Sequence, residues 1–130
     1  MSTINIDIPI ADLLMVGDNI VGRMVYLNYS TPRLAQAALE RISRRARGRI
    51  IEGHQGLLDG DVVNSALHYL NSLGARIKEA RLATKSDQAI REISLDQCLP
   101  PHVEGTDFER IFHQRNLQTV IERGLFAAGG

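Results

Sequence analysis

From residue 3 to residue 10 apolar and polar positions alternate, with Ile4, Ile6, Ile8 and Ile10 on one side and Asn5, Asp7 and Pro9 on the other. A period of two predicts a strand with one buried face, and Pro9, which cannot donate to a ladder, places that strand at an edge or near its end. Turn residues Gly17-Asp18-Asn19 separate Leu13-Leu14-Met15-Val16 from a β-rich run over residues 20–29 that holds Ile20, Val21, Val25, Tyr26 and Leu27. Two or three antiparallel strands are expected, with one helical turn over residues 11–16 as the alternative there.

The period then changes to that of a helix. Ser30-Thr31-Pro32 is a start signal: a hydroxyl cap followed by proline at the first helical position, where a missing N–H costs nothing. That helix should reach about Ala46, with Gly48 as its stop. It carries Leu34, Ala35, Ala38, Leu39, Ile42 and Ala46 on one arc and Arg33, Arg41, Arg44 and Arg47 opposite. After an apolar stub at Ile50-Ile51, glycines 53, 56 and 60 suggest a loop. A long amphipathic helix capped by Asp59 or Asp61 follows, with the stripe Val62, Val63, Ala66, Leu67, Leu70, Leu73, Ile77 and Ala80. A shorter helix capped by Ser86 should cover residues 87–93, and Leu99-Pro100-Pro101-His102 ends regular structure.

Thr106-Asp107-Phe108-Glu109 matches the capping box, in which the Thr hydroxyl and the Glu side chain each satisfy an orphan backbone donor. The helix it opens should reach Arg123 and stop at Gly124. Its apolar residues fall on two sides, Phe108, Ile111 and Phe112 on one and Leu117, Val120 and Ile121 on the other, so it needs two neighbours or a break near His113. The fold class expected is α+β: a small N-terminal antiparallel β element followed by about four helices in a layer or bundle, one domain over residues 1–125 with a frayed tail over 126–130.

Composition narrows the function classes. With 130 residues and 44% apolar side chains there is enough apolar surface for one core. Three Tyr, three Phe and no Trp argue against an aromatic stacking platform for single-stranded nucleic acid. Cys98 stands alone, which excludes an internal disulfide and a multi-cysteine zinc site. No apolar run has the length of a membrane span and the first residues do not read as an export signal, so a cytoplasmic location with no membrane partner is expected.

Net charge is zero, yet its distribution is uneven. Residues 33–49 hold six arginines, Arg33, Arg41, Arg44, Arg45, Arg47 and Arg49, against one acid, Glu40. Guanidinium groups fork onto phosphate with paired hydrogen bonds, so this helix face is a candidate grip on nucleic acid or a phosphorylated small molecule. The plainer reading is a solvated face, or ion pairs with acids of a neighbouring subunit. Balanced overall charge argues against strong non-specific polyanion binding.

Other patterns carry less. Gly17 to Met24 has the glycine spacing of a phosphate loop, but Arg23 and Met24 occupy the positions of the lysine and the magnesium-binding hydroxyl, and β-rich sequence follows. Glu52, His54, Asp59 and Asp61 gather one imidazole and three carboxylates within ten residues, yet the calcium-loop pattern fails at Val63 and Leu70. His68 reads as a surface histidine, and His102, His113 and Cys98 lack partners at ligand spacing. No metal site and no cofactor is expected.

Three function classes remain. First stands a non-enzymatic accessory or regulatory protein, oligomeric, binding a polyanion through the arginine face. An oligomeric adaptor or inhibitor acting by protein contacts is second, and a small enzyme using the loop at residues 52–61 is third. The two-sided final helix places a homo-oligomer interface at Phe108, Ile111, Phe112, Leu117, Val120 and Ile121.

Overall fold

The computed structural model describes residues 6–11, 13–17, 23–27, 31–45, 48–52, 56–59, 61–83 and 86–126. It is mostly helical. A four-stranded sheet comprises β1 (Ile6–Ile8), β2 (Leu13–Gly17), β3 (Arg49–Glu52) and β4 (Gly56–Asp59) in that spatial order. The helices are α1 (Pro32–Arg45), α2 (Asp61–Ala83), the single turns α3 (Gln88–Arg91) and α4 (Leu95–Cys98), and α5 (Asp107–Arg123). Among the described residues no helix is long and apolar enough to cross a membrane.

The sheet differs from the one expected. β1 runs antiparallel to β2, but β2 pairs in parallel with β3 across the crossover that contains α1, and β3 turns back antiparallel to β4. A self-contained N-terminal antiparallel unit is therefore not what forms: half of the sheet comes from chain beyond the first helix. The stub at Ile50-Ile51 and the supposed loop after it are the two strands of a hairpin, and residues 23–27 contribute no strand to the sheet. A parallel partner is separated in sequence by a whole crossover, so nothing in the local pattern of residues 3–29 announces it.

The expected buried face of β1 is also corrected. Ile6 is 50% exposed, and Ile8 and Ile10 are exposed too. Alternation reports that residues share a face; it does not report that something covers the face. Among the described residues β1 is an edge strand bonded to β2 alone, and the described core lies among the helices and segment 23–27.

That core forms where α1 packs on α2, and where α3 and α4 pack between α2 and α5. Ala35, Leu39 and Ile42 of α1 meet Val62, Val63, Ala66, Leu70, Leu73 and Ile77 of α2 in one cluster with Leu117 and Val120 of α5. Leu34, placed on the apolar arc by the sequence, is 62% exposed at the edge of that arc. The start signal of α1 acts as expected, the Leu34 N–H donating to Thr31 Oγ1 at 3.3 Å. At the next expected helix Ser86 Oγ accepts the Gln88 N–H at 3.2 Å, but Asp87 and not Ser86 is the N-cap, and the helix is the single turn Gln88–Arg91 and not residues 87–93. Gly124 ends α5 at φ 62°, a left-handed conformation that a side chain disfavours. Beyond it Phe126 turns back over Gly74, where a Cβ would stand 3.1 Å from the Phe126 ring.

Candidate functional site

Two features carry chemistry: the outer face of α1, and a buried polar network at the centre of the helical part.

On α1, Arg33, Arg41 and Arg44 are all exposed. At 100° per residue they fall within an arc of about 80°, opposite Ala35, Leu39 and Ile42, which anchor the helix in the core. Among the described residues none of the three guanidinium groups has a hydrogen-bond or ion-pair partner. Glu40 shares the face, but its carboxylate accepts from Gln36 Nε2 at 3.0 Å. Arg33 to Arg44 spans about 16 Å of helix axis, comparable to about five steps along one nucleic-acid strand. Arg49 begins β3 in register with Leu13 and Asp59. Arg45 ends α1 and Arg47 lies outside the described residues.

Along the hairpin the backbone positions of residues 52 and 59 lie at opposite ends. Glu52 stands at the turn end of the hairpin opposite Gly56, whereas Asp59 stands at the open end opposite Arg49. Three residues of strand separate the two positions by about 10 Å. Asp61 opens α2, and His54 lies outside the described residues.

The interface set on α5 divides. Leu117 and Val120 are 0% exposed and belong to the core of the chain itself, with Phe112 nearly buried and Ile121 half-buried. Their neighbours are intramolecular, so the apolar side at Leu117 and Val120 needs no second subunit. α5 runs unbroken through His113 because it has two sets of neighbours: α3 and α4, and the extended segment 23–27. Phe108 and Ile111 remain exposed, Ile111 by 53%.

Segment 23–27 is held by Asn116 of α5, itself bonded to Tyr69 of α2, residues that the sequence reading did not single out. Asn116 Oδ1 accepts the Leu27 N–H at 2.8 Å, and Asn116 Nδ2 donates to the Val25 carbonyl at 2.7 Å. One side-chain amide thus pairs with an extended backbone as a neighbouring strand would. The same Nδ2 donates to Tyr69 Oη at 2.9 Å; Tyr69 Oη lies 2.9 Å from His113 Nδ1, and His113 Nε2 lies 2.8 Å from the Ile93 carbonyl. A carbonyl only accepts, so Nε2 carries the proton, Nδ1 is the acceptor in neutral imidazole, and Tyr69 donates to it. Every hydrogen in the chain of bonds is assigned.

Burial accounts for the ionisation of these groups. It pushes the Tyr69 phenol upward, against the opposing hydrogen bond from Asn116. It holds His113 below the ordinary imidazole range, although the Ile93 carbonyl and the Asp96 carboxylate pull the other way. Cys98, also buried, is raised to about 11, which keeps the thiol protonated and unreactive as a nucleophile.

At the start of the segment Arg23 meets Glu109. Glu109 Oε1 accepts from Arg23 Nη2 at 2.8 Å, and Oε2 accepts from the Arg23 backbone N–H at 2.8 Å. Glu109 is also the fourth residue of the capping box: its N–H donates to Thr106 Oγ1 at 3.1 Å, and its carboxylate accepts the Thr106 N–H at 2.9 Å. Burial alone would raise this carboxyl, but the Arg23 and Thr106 donors outweigh it and hold Glu109 below the usual carboxylate range. The arginine in the lysine position of the phosphate-loop pattern is a structural ion-pair partner, and the adjacent Met24 is buried.

A signal for part of this network exists in the sequence. Asn116 sits between Phe112 and Val120 at spacings of four, a polar residue in an apolar row, where burial demands partners. No protein-family model, no curated protein and no solved structure matches the chain.

Proposed function

We propose that the protein is a non-enzymatic accessory or regulatory protein that binds a phosphate-bearing polyanion through the outer face of α1. The observation that supports this most directly is the set of three exposed arginines, Arg33, Arg41 and Arg44, on one arc without partners among the described residues. Guanidinium groups in that state keep their full capacity for bidentate bonds to phosphate, and their mutual repulsion on one helix is relieved by an anion. Arg45, Arg47 and Arg49 follow directly in sequence and extend the positive charge past the helix end.

The variant Arg33→Gln, Arg41→Gln, Arg44→Gln tests this reading. Against a nucleic-acid duplex, the slope of log affinity on log salt should shrink by about 2–3, close to one unit for each phosphate that an arginine no longer engages. Its free energy of unfolding in urea should stay within about 0.5 kcal/mol of wild type, because no described group is orphaned by the change. Unchanged binding with lowered stability would make the arginines structural.

A second reading, an oligomeric adaptor acting by protein contacts, draws on the exposure of Phe108 and Ile111 one turn apart on α5. It predicts self-association at micromolar concentration with no response to nucleic acid.

A further inference from the structure

We propose that segment 23–27 is a strap latched onto α5 by a proton-sensitive chain of hydrogen bonds, and that protonation of His113 releases it while the helices stay folded.

The segment is built as a bound peptide. Met24, Val25 and Leu27 are buried in the helical core, Tyr26 stacks edge-on against Phe112 with ring centroids 4.8 Å apart, and its backbone is read by Asn116. It lies in the chain between β2 and α1, so it is the covalent link from the sheet to the arginine helix. Three contacts fasten it. One is the Arg23–Glu109 pair at its start; the second is the Asn116 amide at its middle, oriented by Tyr69 and, through Tyr69, by His113; the third is Arg123 Nη1, which donates to the Leu27 carbonyl at 3.3 Å.

The second latch has one consistent set of donors. Nε2 of His113 is committed to the Ile93 carbonyl, so an added proton must go to Nδ1. Nδ1 then donates toward Tyr69 Oη, which already accepts from Asn116 Nδ2 and must turn its own hydrogen away. Two donors then converge on one buried oxygen, whose own hydrogen is left without its acceptor. The imidazolium is also 1% exposed, so the charge is not hydrated where it stands.

The groups around His113 set the sign. Tyr69 faces it from α2, the Ile93 carbonyl from the turn before α4, and Asp96 from α4. Asp96 favours the imidazolium but is exposed and already bonded to Arg110 at 3.4 Å. Glu109, one turn earlier on α5, is committed to Arg23 from the strap. Burial prevails, and the folded imidazole titrates below its ordinary 6.5. A neutral-preferring histidine contributes stability fully above the unfolded value, and that contribution is lost as pH falls toward the folded one. The Glu109 contribution begins to be lost only below its ordinary 4.5, whereas that of His113 begins to be lost below 6.5, so acid weakens the middle of the strap before its anchor.

Amide hydrogen exchange on the full chain tests the device. After correction for intrinsic rates, protection of the Leu27 amide, whose N–H is bonded to Asn116, should fall at least about tenfold between about pH 7.5 and about pH 5, while the Leu73 amide in α2 keeps its protection. In His113→Gln, which cannot titrate, the Leu27 profile should be flat. Leu27 and Leu73 losing protection together, Leu27 unchanged across the range, or the same loss in His113→Gln would each overturn the proposal. Should that variant fail to fold, the wild-type comparison of the two amides decides alone.

Discussion

Replacing Asn116 with alanine should destabilise the protein by about 3–5 kcal/mol, among the largest effects expected of any single change. Asn116 is 0% exposed and makes three hydrogen bonds, to the Leu27 N–H, the Val25 carbonyl and Tyr69. Alanine leaves a buried donor and a buried acceptor of the strap without partners, at about 1–3 kcal/mol each, and opens a cavity beside Tyr69. Aspartate does not rescue the site, because it presents a second oxygen to the Val25 carbonyl in place of the donor. Urea unfolding should show a lowered midpoint with the same slope.

The second large effect is expected at Glu109. Glu109→Ala should cost about 3–5 kcal/mol, since it removes the partner of a half-buried guanidinium and breaks the capping box in one step. Arg23→Ala should be comparably severe, because it leaves a carboxylate that is 1% exposed without its cation. The double variant should then lose clearly less than the sum of the two, as neither charge is left alone. Acid should mimic the loss: the carboxylate contributes stability above its unfolded value near 4.5, and that contribution disappears as pH falls through the lower folded value. A double variant whose loss equals the sum would show that Arg23 and Glu109 act independently.

These two sites also show where the sequence runs out. The capping box over residues 106–109 was readable because both of its partners lie within four residues, and the arginine arc of α1 because periodicity alone places it opposite Ala35, Leu39 and Ile42. That Glu109 also receives Arg23 from 86 residues away is a fact of tertiary packing. Tyr69, His113 and Asn116 come from two helices and acquire their roles only when these meet over the strap. The parallel pairing of β2 with β3 is non-local in the same way. At Ile6 and Leu34 the pattern was right about periodicity and wrong about cover, since a face is buried only where another element reaches it. Leu117 and Val120 show the converse: the neighbours that this apolar side of the helix demands lie in the same chain, while Phe108 and Ile111 on the other side stay exposed.

The reading of α1 as a phosphate-binding face is tested most directly by titrating the unmodified protein with a nucleic-acid duplex over a series of salt concentrations. If Arg33, Arg41 and Arg44 each engage a phosphate, log affinity should fall linearly with log salt with a slope of about −3 or steeper. A slope near zero, or no binding at the lowest salt, would contradict it.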